Sequence, residues 1–163
     1  MDSSIFNVDA KKTVFRMFTY GLYALTVSDL PKGHAAPINW STQSSFDLPL
    51  LAISLENSSR TIILLRQDKV FAISVYGSDQ RELAGQLGRY SAIRPDKFDG
   101  VAGDTGVTGA PLLVEALAYV GCQARRELDS GDSVIFVGEF IGAGHRTSGD
   151  PLTMESAGFK HAG

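Results

Sequence analysis

Apolar and polar residues alternate in short runs along most of this chain, and the runs have the lengths of strands. Residues 22–28 place Leu22, Ala24 and Thr26 on one face and Tyr23, Leu25 and Val27 on the other. Residues 49–56 put Leu51, Ile53 and Leu55 on one side, and residues 70–76 repeat the pattern with Phe71, Ile73 and Val75. A period of two matches the pleat of a half-buried strand, so each run predicts one. Two longer runs, about 115–128 and 133–143, meet at Asp129-Ser130-Gly131-Asp132 and predict a pair of strands joined by a turn.

Helical signals are fewer. Residues 9–18, with Val14, Phe15, Met17 and Phe18 apolar, read as a short helix that Tyr20-Gly21 breaks. Ser58 or Ser59 is placed to cap a second short helix through Ile62-Ile63-Leu64-Leu65. Asp79 followed by Glu82 has the spacing of a capping box, ahead of a helix with Leu83 and Leu87 on one face. Asp29-Leu30-Pro31-Lys32-Gly33 supplies turn chemistry. Residues 89–111, which contain Gly100, Gly103, Gly106 and Gly109, predict loop. The tail from Pro151 to Gly163 predicts a short last strand and a terminal segment. Strands without regular βαβ alternation predict a mainly β protein, an antiparallel barrel with a few short helices. No repeat, low-complexity stretch or linker interrupts residues 1–163, which read as one domain.

One stretch breaks the strand pattern. Residues 34–46 look extended, yet from Asn39 to Ser45 the chain reads Asn-Trp-Ser-Thr-Gln-Ser-Ser. Neither face is apolar apart from Ile38, Trp40 and Phe46. Such a strand is either an exposed edge or one whose side chains meet a ligand. Trp40 either covers apolar ring surface or packs in the core. A second polar cluster, Asn57-Ser58-Ser59-Arg60-Thr61, follows the next strand. Free N–H groups at a helix start, hydroxyls and a guanidinium make a local anion site, although capping serines alone are common without any ligand. Two polar clusters at opposite ends of one strand suit a ligand with a polar ring edge and a phosphate tail.

Composition narrows the partners. The chain has 163 residues, a formal charge of −3 and a sequence pI near 5.5, which argues against nucleic acid. Arg125-Arg126 reads as a solvated strand face. The single cysteine, Cys122, excludes an intrachain disulfide and reads as a small core residue. The N-terminus lacks a signal-peptide pattern, and no run approaches about 20 apolar residues. These features predict a cytoplasmic protein with no membrane partner. His34, His145 and His161 lack metal-like spacing and read as loop or tail residues. There is no G-x-S-x-G elbow, Walker A loop or G-x-G-x-x-G. A chain so poor in acid–base chemistry takes its reactivity from a cofactor, if it is an enzyme.

The order of the motifs resembles the flavin reductase-like, FMN-binding split-barrel family, the short-chain reductase components of two-component flavin monooxygenases. The resemblance covers roughly residues 15–161. It rests on Asn39 to Ser45, Asp47-Leu48-Pro49-Leu50, Asn57 to Thr61, and Lys69-Val70-Phe71-Ala72-Ile73-Ser74-Val75. It continues through Asp96-Lys97-Phe98-Asp99-Gly100, Gly109-Ala110-Pro111-Leu112-Leu113, Ala116-Leu117-Ala118-Tyr119, Gly131-Asp132-Ser133, Phe136-Val137-Gly138-Glu139 and Pro151-Leu152-Thr153. Each motif is loose, but the shared order is specific. Two positions depart from the family: Leu48 stands where a proline is usual, and Gln43 where a small residue is common. No residue matches a nicotinamide-contacting histidine.

The resemblance implies a Greek-key-like split β-barrel homodimer with one FMN per subunit near the dimer interface, FAD being the other flavin possible. By motif position, Asn39, Trp40, Ser41 and Thr42 would line the isoalloxazine and ribityl, and Ser45 the ring edge. Ser59, Arg60 and Thr61 would hold the phosphate, while Phe71 packs the core. The implied activity is NAD(P)H-dependent flavin reduction, hydride passing from nicotinamide to FMN N5, with reduced flavin supplied to a monooxygenase or other acceptor. No side chain need act as acid or base. Two alternatives stand beside it. One is a flavoredoxin-like, FMN-binding electron-transfer protein reduced by a redox protein. The other is a split barrel that binds haem, a pyridoxal phosphate derivative or nothing.

Overall fold

The computed structural model describes residues 7–161. Its elements are α1 (Val8–Met17), β1 (Tyr23–Val27), β2 (His34–Ile38), β3 (Ser41–Ser45), β4 (Leu50–Glu56), α2 (Arg60–Asp68) and β5 (Val70–Val75). They continue with α3 (Arg81–Leu87), β6 (Ala102–Thr105), β7 (Pro111–Leu113), β8 (Ala118–Ser130), β9 (Ser133–His145) and α4 (Met154–Ala157). One seven-stranded antiparallel sheet runs β2-β1-β5-β8-β9-β4-β3, and β6 and β7 form a separate pair.

Chain length dictates that this sheet curls. Its edge strands β2 and β3 are consecutive in sequence, separated by only Asn39 and Trp40. A flat sheet of this size would set those edges roughly 29 Å apart at about 4.8 Å per strand. The step from Ile38 to Ser41 spans at most about 11 Å. The sheet therefore rolls until its edges meet at Asn39-Trp40, with no ladder between β2 and β3. That unpaired seam is the split of the barrel.

The alternating positions fill the interior. Leu51, Ile53 and Leu55 of β4 pack with Leu25, Phe71, Ile73, Cys122 and Phe136, and Ile62 and Leu65 of α2 cover one end. Gly138 of β9 is required here. A Cβ at that position would lie 2.6 Å from the Phe71 ring and 3.0 Å from Cys122 Cβ. A second core lies outside the barrel, where α3, the 98–116 segment and the tail meet around Tyr76, Leu87, Leu113 and Leu152.

Four expectations change. The 89–111 stretch is not simply loop, because β6 and β7 form there and Leu112 packs on Ala72 from outside the barrel. The Thr26 hydroxyl donates to the Pro111 carbonyl, and Leu113 N–H to Ser74 Oγ at 3.3 Å, which ties β7 across β1 and β5. The Asp79–Glu82 capping box does not form. Gln80 is the N-cap of α3, and its side chain instead accepts from Gly77 N–H and donates to the Glu115 carbonyl. The tail makes isolated bridges, Gly77 with Pro151 and Gly21 with Thr153, and then the short helix α4. A capping box does form there, between Thr153 and Ser156. Finally, His34 and His145 are not loop residues; His34 opens β2 and is buried, and His145 ends β9.

Candidate functional site

The seam holds two adjoining spaces. The larger, about 320 Å³, is walled by Ile38 of β2, Ser54 and Glu56 of β4, Ser59 and Thr61 at the start of α2, and Phe159 and His161 of the tail. The smaller, about 270 Å³, runs along Ser41, Thr42, Ala52 and Ile53. Asn39, Trp40 and Ser54 border both. The volume of either lies at or near the lower end of the usual range for ligand pockets.

Local sequence explains the walls. β3 is a sheet edge, with Thr42, Gln43 and Ser44 exposed, so its polar composition needs no core face. Trp40 is half-buried, and its carbonyl accepts from Ser54 N–H at 3.0 Å, extending the β3–β4 ladder into the seam. Asn39 is buried, and its Nδ2 has no hydrogen-bond partner among the described residues. At the other end, Ser59 caps α2. Its hydroxyl accepts from Thr61 N–H at 3.1 Å, which fixes the first turn and aligns its N–H groups.

The residues singled out in sequence fall into two sets. Asn39, Trp40, Ser41, Thr42, Ser59 and Thr61 come together along the seam. Arg60 and Ser45 lie outside both spaces. Arg60 is more than half exposed and donates to Asp29 at 2.7 Å. Ser45 sits beyond a register shift in β3, and its hydroxyl donates to the Asp47 carbonyl at 3.2 Å. Phe71 is wholly buried in the barrel core. Phe46, grouped with the strand in sequence, is 89% exposed in the turn that follows. Leu48 occupies that same turn and is also exposed.

Three further residues border the site. Glu56 ends β4, and its carboxylate lies 3.4 Å from His161 Nε2. The His161 ring leans on Trp40 at 5.1 Å between centroids and 51° between planes. Nothing in the sequence near Trp40 announces this, since the tail reaches the seam only through the fold. Behind Thr61 lies His34, its Nε2 3.0 Å from Thr61 Oγ1. Here a signal was present: His34, Ala36 and Ile38 share one face of β2, and the inward side of Ile38 is unambiguous. Burial, with Lys97 and Arg60 adding to it and Asp29 opposing, lowers His34 from the ordinary 6.5 to about 4.

An antiparallel barrel split at an edge seam, with a helix N-terminus and the Trp40 ring bordering the same groove, is the split-barrel architecture. The chain matches the family described as "Flavin reductase like domain" over residues 15–163, and it belongs to that FMN-binding split-barrel family. The high molecular weight rubredoxin of Moorella thermoacetica is 30% identical over 137 residues, 83% of this chain and 60% of that protein. The chain thus spans less than two thirds of that relative. The reductase component of 4-nitrophenol 4-monooxygenase/4-nitrocatechol 2-monooxygenase of Rhodococcus opacus is 31% identical over 150 residues, covering 92% of this chain and 78% of that protein. The solved structure of the NADH:FAD oxidoreductase SgcE6 of Streptomyces globisporus C-1027 superposes with a TM-score of 0.78 at 29% identity, covering 86% of this chain and 83% of that one.

The groove suits a flavin mononucleotide on two observations of this structure. The orphaned Asn39 nitrogen is a buried donor that lacks a partner. The start of α2 offers the Ser59 and Thr61 hydroxyls, without a carboxylate in its first turn, where a phosphate would sit; the Thr61 and Ile62 N–H groups are already engaged by Ser59.

Proposed function

We propose that this protein is an NAD(P)H-dependent flavin reductase that binds FMN in the seam of the barrel and supplies reduced flavin to a monooxygenase or another acceptor. The observation that carries the reading is the pairing, in one groove, of the unpartnered Asn39 donor beside Trp40 with the capped N-terminus of α2. Bound flavin would supply the hydride-accepting chemistry. The chain's own part is to bind, orient and keep water away. Asn39 would donate to the polar ring edge, and Trp40 would cover apolar ring surface. Ser41 and Thr42 would line the ribityl side, and Ser59 and Thr61 would hold the phosphate. Arg60 would reach the phosphate only by leaving Asp29, and Ser45 the ring edge only if the ligand extends past the bulge. FAD is the other flavin the groove would take if its open end admits the extra nucleotide.

A homodimer belongs to the same reading. Val14, Phe15, Met17 and Phe18 are exposed, and α1 has no buried residue. A second copy would cover this apolar surface next to the tail.

The second reading is a flavin-binding electron-transfer protein reduced by a redox protein partner. The similarity to a protein named as a rubredoxin favours it, as does the lack of any residue that matches a nicotinamide-contacting histidine.

The test is an absorption spectrum with and without FMN, followed by anaerobic addition of NADH and then NADPH. Yellow protein bleached by a nucleotide supports the reductase, and the faster nucleotide names the donor. Yellow protein that neither nucleotide bleaches points to the electron carrier. Protein that stays colourless with FMN overturns both.

A further inference from the structure

His34 sits behind the groove rather than in it. It is 7% exposed and lies between two hydroxyls, with Nε2 3.0 Å from Thr61 Oγ1 and Nδ1 3.4 Å from Ser91 Oγ. Thr61 is the second residue of α2; only 1% of it is exposed, yet it borders the cavity. The ring thus links the loop after α3 to the helix start that faces the groove.

The charged groups acting on the ring are Lys97, Arg60 and Asp29. Lys97 is buried and donates to the Leu87 and Arg89 carbonyls at 2.8 and 2.9 Å, so it stays close by. Asp29 is engaged by Arg60. A buried ring near two cations does not readily take a second proton, so His34 is neutral around pH 7. A neutral imidazole has one donor and one acceptor.

Two arrangements remain, and they differ in what Thr61 offers. With the proton on Nδ1, Thr61 donates its only proton back to Nε2 and presents lone pairs elsewhere. With the proton on Nε2, His34 donates to Thr61 Oγ1 and accepts from the Ser91 hydroxyl. The Thr61 proton is then free to point toward the groove. Only the second arrangement makes Thr61 a donor to an anion.

We propose that His34 is a positioning residue for the phosphate end of the groove: its Nε2–H donates to Thr61 Oγ1 and so turns the Thr61 hydroxyl into a donor toward a phosphomonoester. The proposal rests on the flavin reading above. His34 itself touches neither ligand nor reacting atoms.

The test compares FMN with riboflavin, which has the same ring and ribityl but no phosphate. Dissociation constants are measured for wild type, His34→Leu, His34→Gln, Thr61→Val and the His34→Leu/Thr61→Val double variant. A glutamine amide can reach the Nε2 position and donate, whereas leucine cannot. Loss of a hydrogen bond to a charged group predicts that His34→Leu weakens FMN about tenfold while riboflavin changes less than about twofold. His34→Gln should recover most of the loss, and His34→Leu should add nothing to the FMN-to-riboflavin ratio in the Thr61→Val background. Equal losses for both ligands, or a full His34 effect without the Thr61 hydroxyl, would overturn the proposal.

If His34→Leu does not fold, nitrogen-15 shifts of the histidines in wild type with FMN decide it. A proton on Nε2 supports the proposal and a proton on Nδ1 sinks it. Wild type that binds neither ligand would bring down the flavin reading with it. Wild type that prefers FMN, with variants that keep the preference, removes only the role given to His34.

Discussion

The Asn39 side-chain nitrogen is buried without a partner among the described residues, and an unpaired buried donor costs about 1–3 kcal/mol. Asn39→Ala removes that penalty together with the side chain. The ligand-free protein should therefore change in stability by less than about 1 kcal/mol, while the rise in melting temperature on adding FMN shrinks. A paired thermal melt reads both, and an unchanged FMN shift would remove Asn39 from the site. Trp40 is the only tryptophan in the chain, so its fluorescence reports the seam directly. FMN should quench it to a saturable endpoint, and the lack of quenching would place the flavin elsewhere. His34 makes stability depend on pH. It titrates near 4 when folded, against an ordinary 6.5, so the unfolded chain gains a proton that the folded one refuses as the pH falls between those values. Its contribution is fully present above 6.5 and is lost toward 4, on the order of 3 kcal/mol. Urea unfolding at pH 7 and pH 4.5 should show a smaller acid loss in His34→Gln than in wild type. The alternation of His34 with Ile38 was a signal for its inward position, but the residue reads as loop in sequence and only the fold showed it buried in β2. The partners of its ring were not legible, because Thr61 and Ser91 belong to other elements.

At the scale of elements, strands were legible wherever one face alone is buried. The alternation of Leu51, Ile53 and Leu55 in β4 survives intact as the inner face of the barrel. β5 was legible as a strand, but its second buried face was not, since Ala72 and Ser74 are covered by β7 from outside. The glycines record such close approaches. Gly121 and Gly142 are cross-strand partners, and a Cβ on either would meet Thr108 or Val107 within 2.9 Å. Gly138 faces Phe71, a ring with no room to move. Gly138→Ala should cost about 1–3 kcal/mol in chemical denaturation through overpacking, and a neutral result would show that the ring has somewhere to go. Cys122 lies beside it, and burial pushes its thiol up to about 12. A thiol reagent should therefore label it only at the rate of unfolding. The misplaced capping box shows a limit of local reading. Asp79 and Glu82 have the right spacing, but Gln80 has tertiary partners in Gly77 and Glu115 and takes the cap position.

For the whole molecule, topology decides where the site is. The seam exists because a two-residue step joins the edge strands of a seven-stranded sheet. It also brings Trp40, the start of α2 and the tail to one place. The surface of α1 faces away from the barrel core. With no buried residue in the chain's own fold, it should matter to association rather than to the barrel. On the proposed homodimer, deleting residues 1–17 should lower the dimer fraction in sedimentation equilibrium, and an unchanged dimer would move the interface elsewhere. Among the described residues, no helix is long and apolar enough to cross a membrane. Local periodicity and side-chain chemistry were enough to set the strands with one apolar face, a serine cap at Ser58 or Ser59, the burial of Cys122 and the two polar clusters. The order of the motifs also set the family. The hold of Asp29 on Arg60, the lean of His161 on Trp40 and the place of His34 behind Thr61 came from the folded chain alone. The reason is physical: each of those contacts joins residues far apart along the chain, and their energies come into being only once the sheet has rolled and its edges have met.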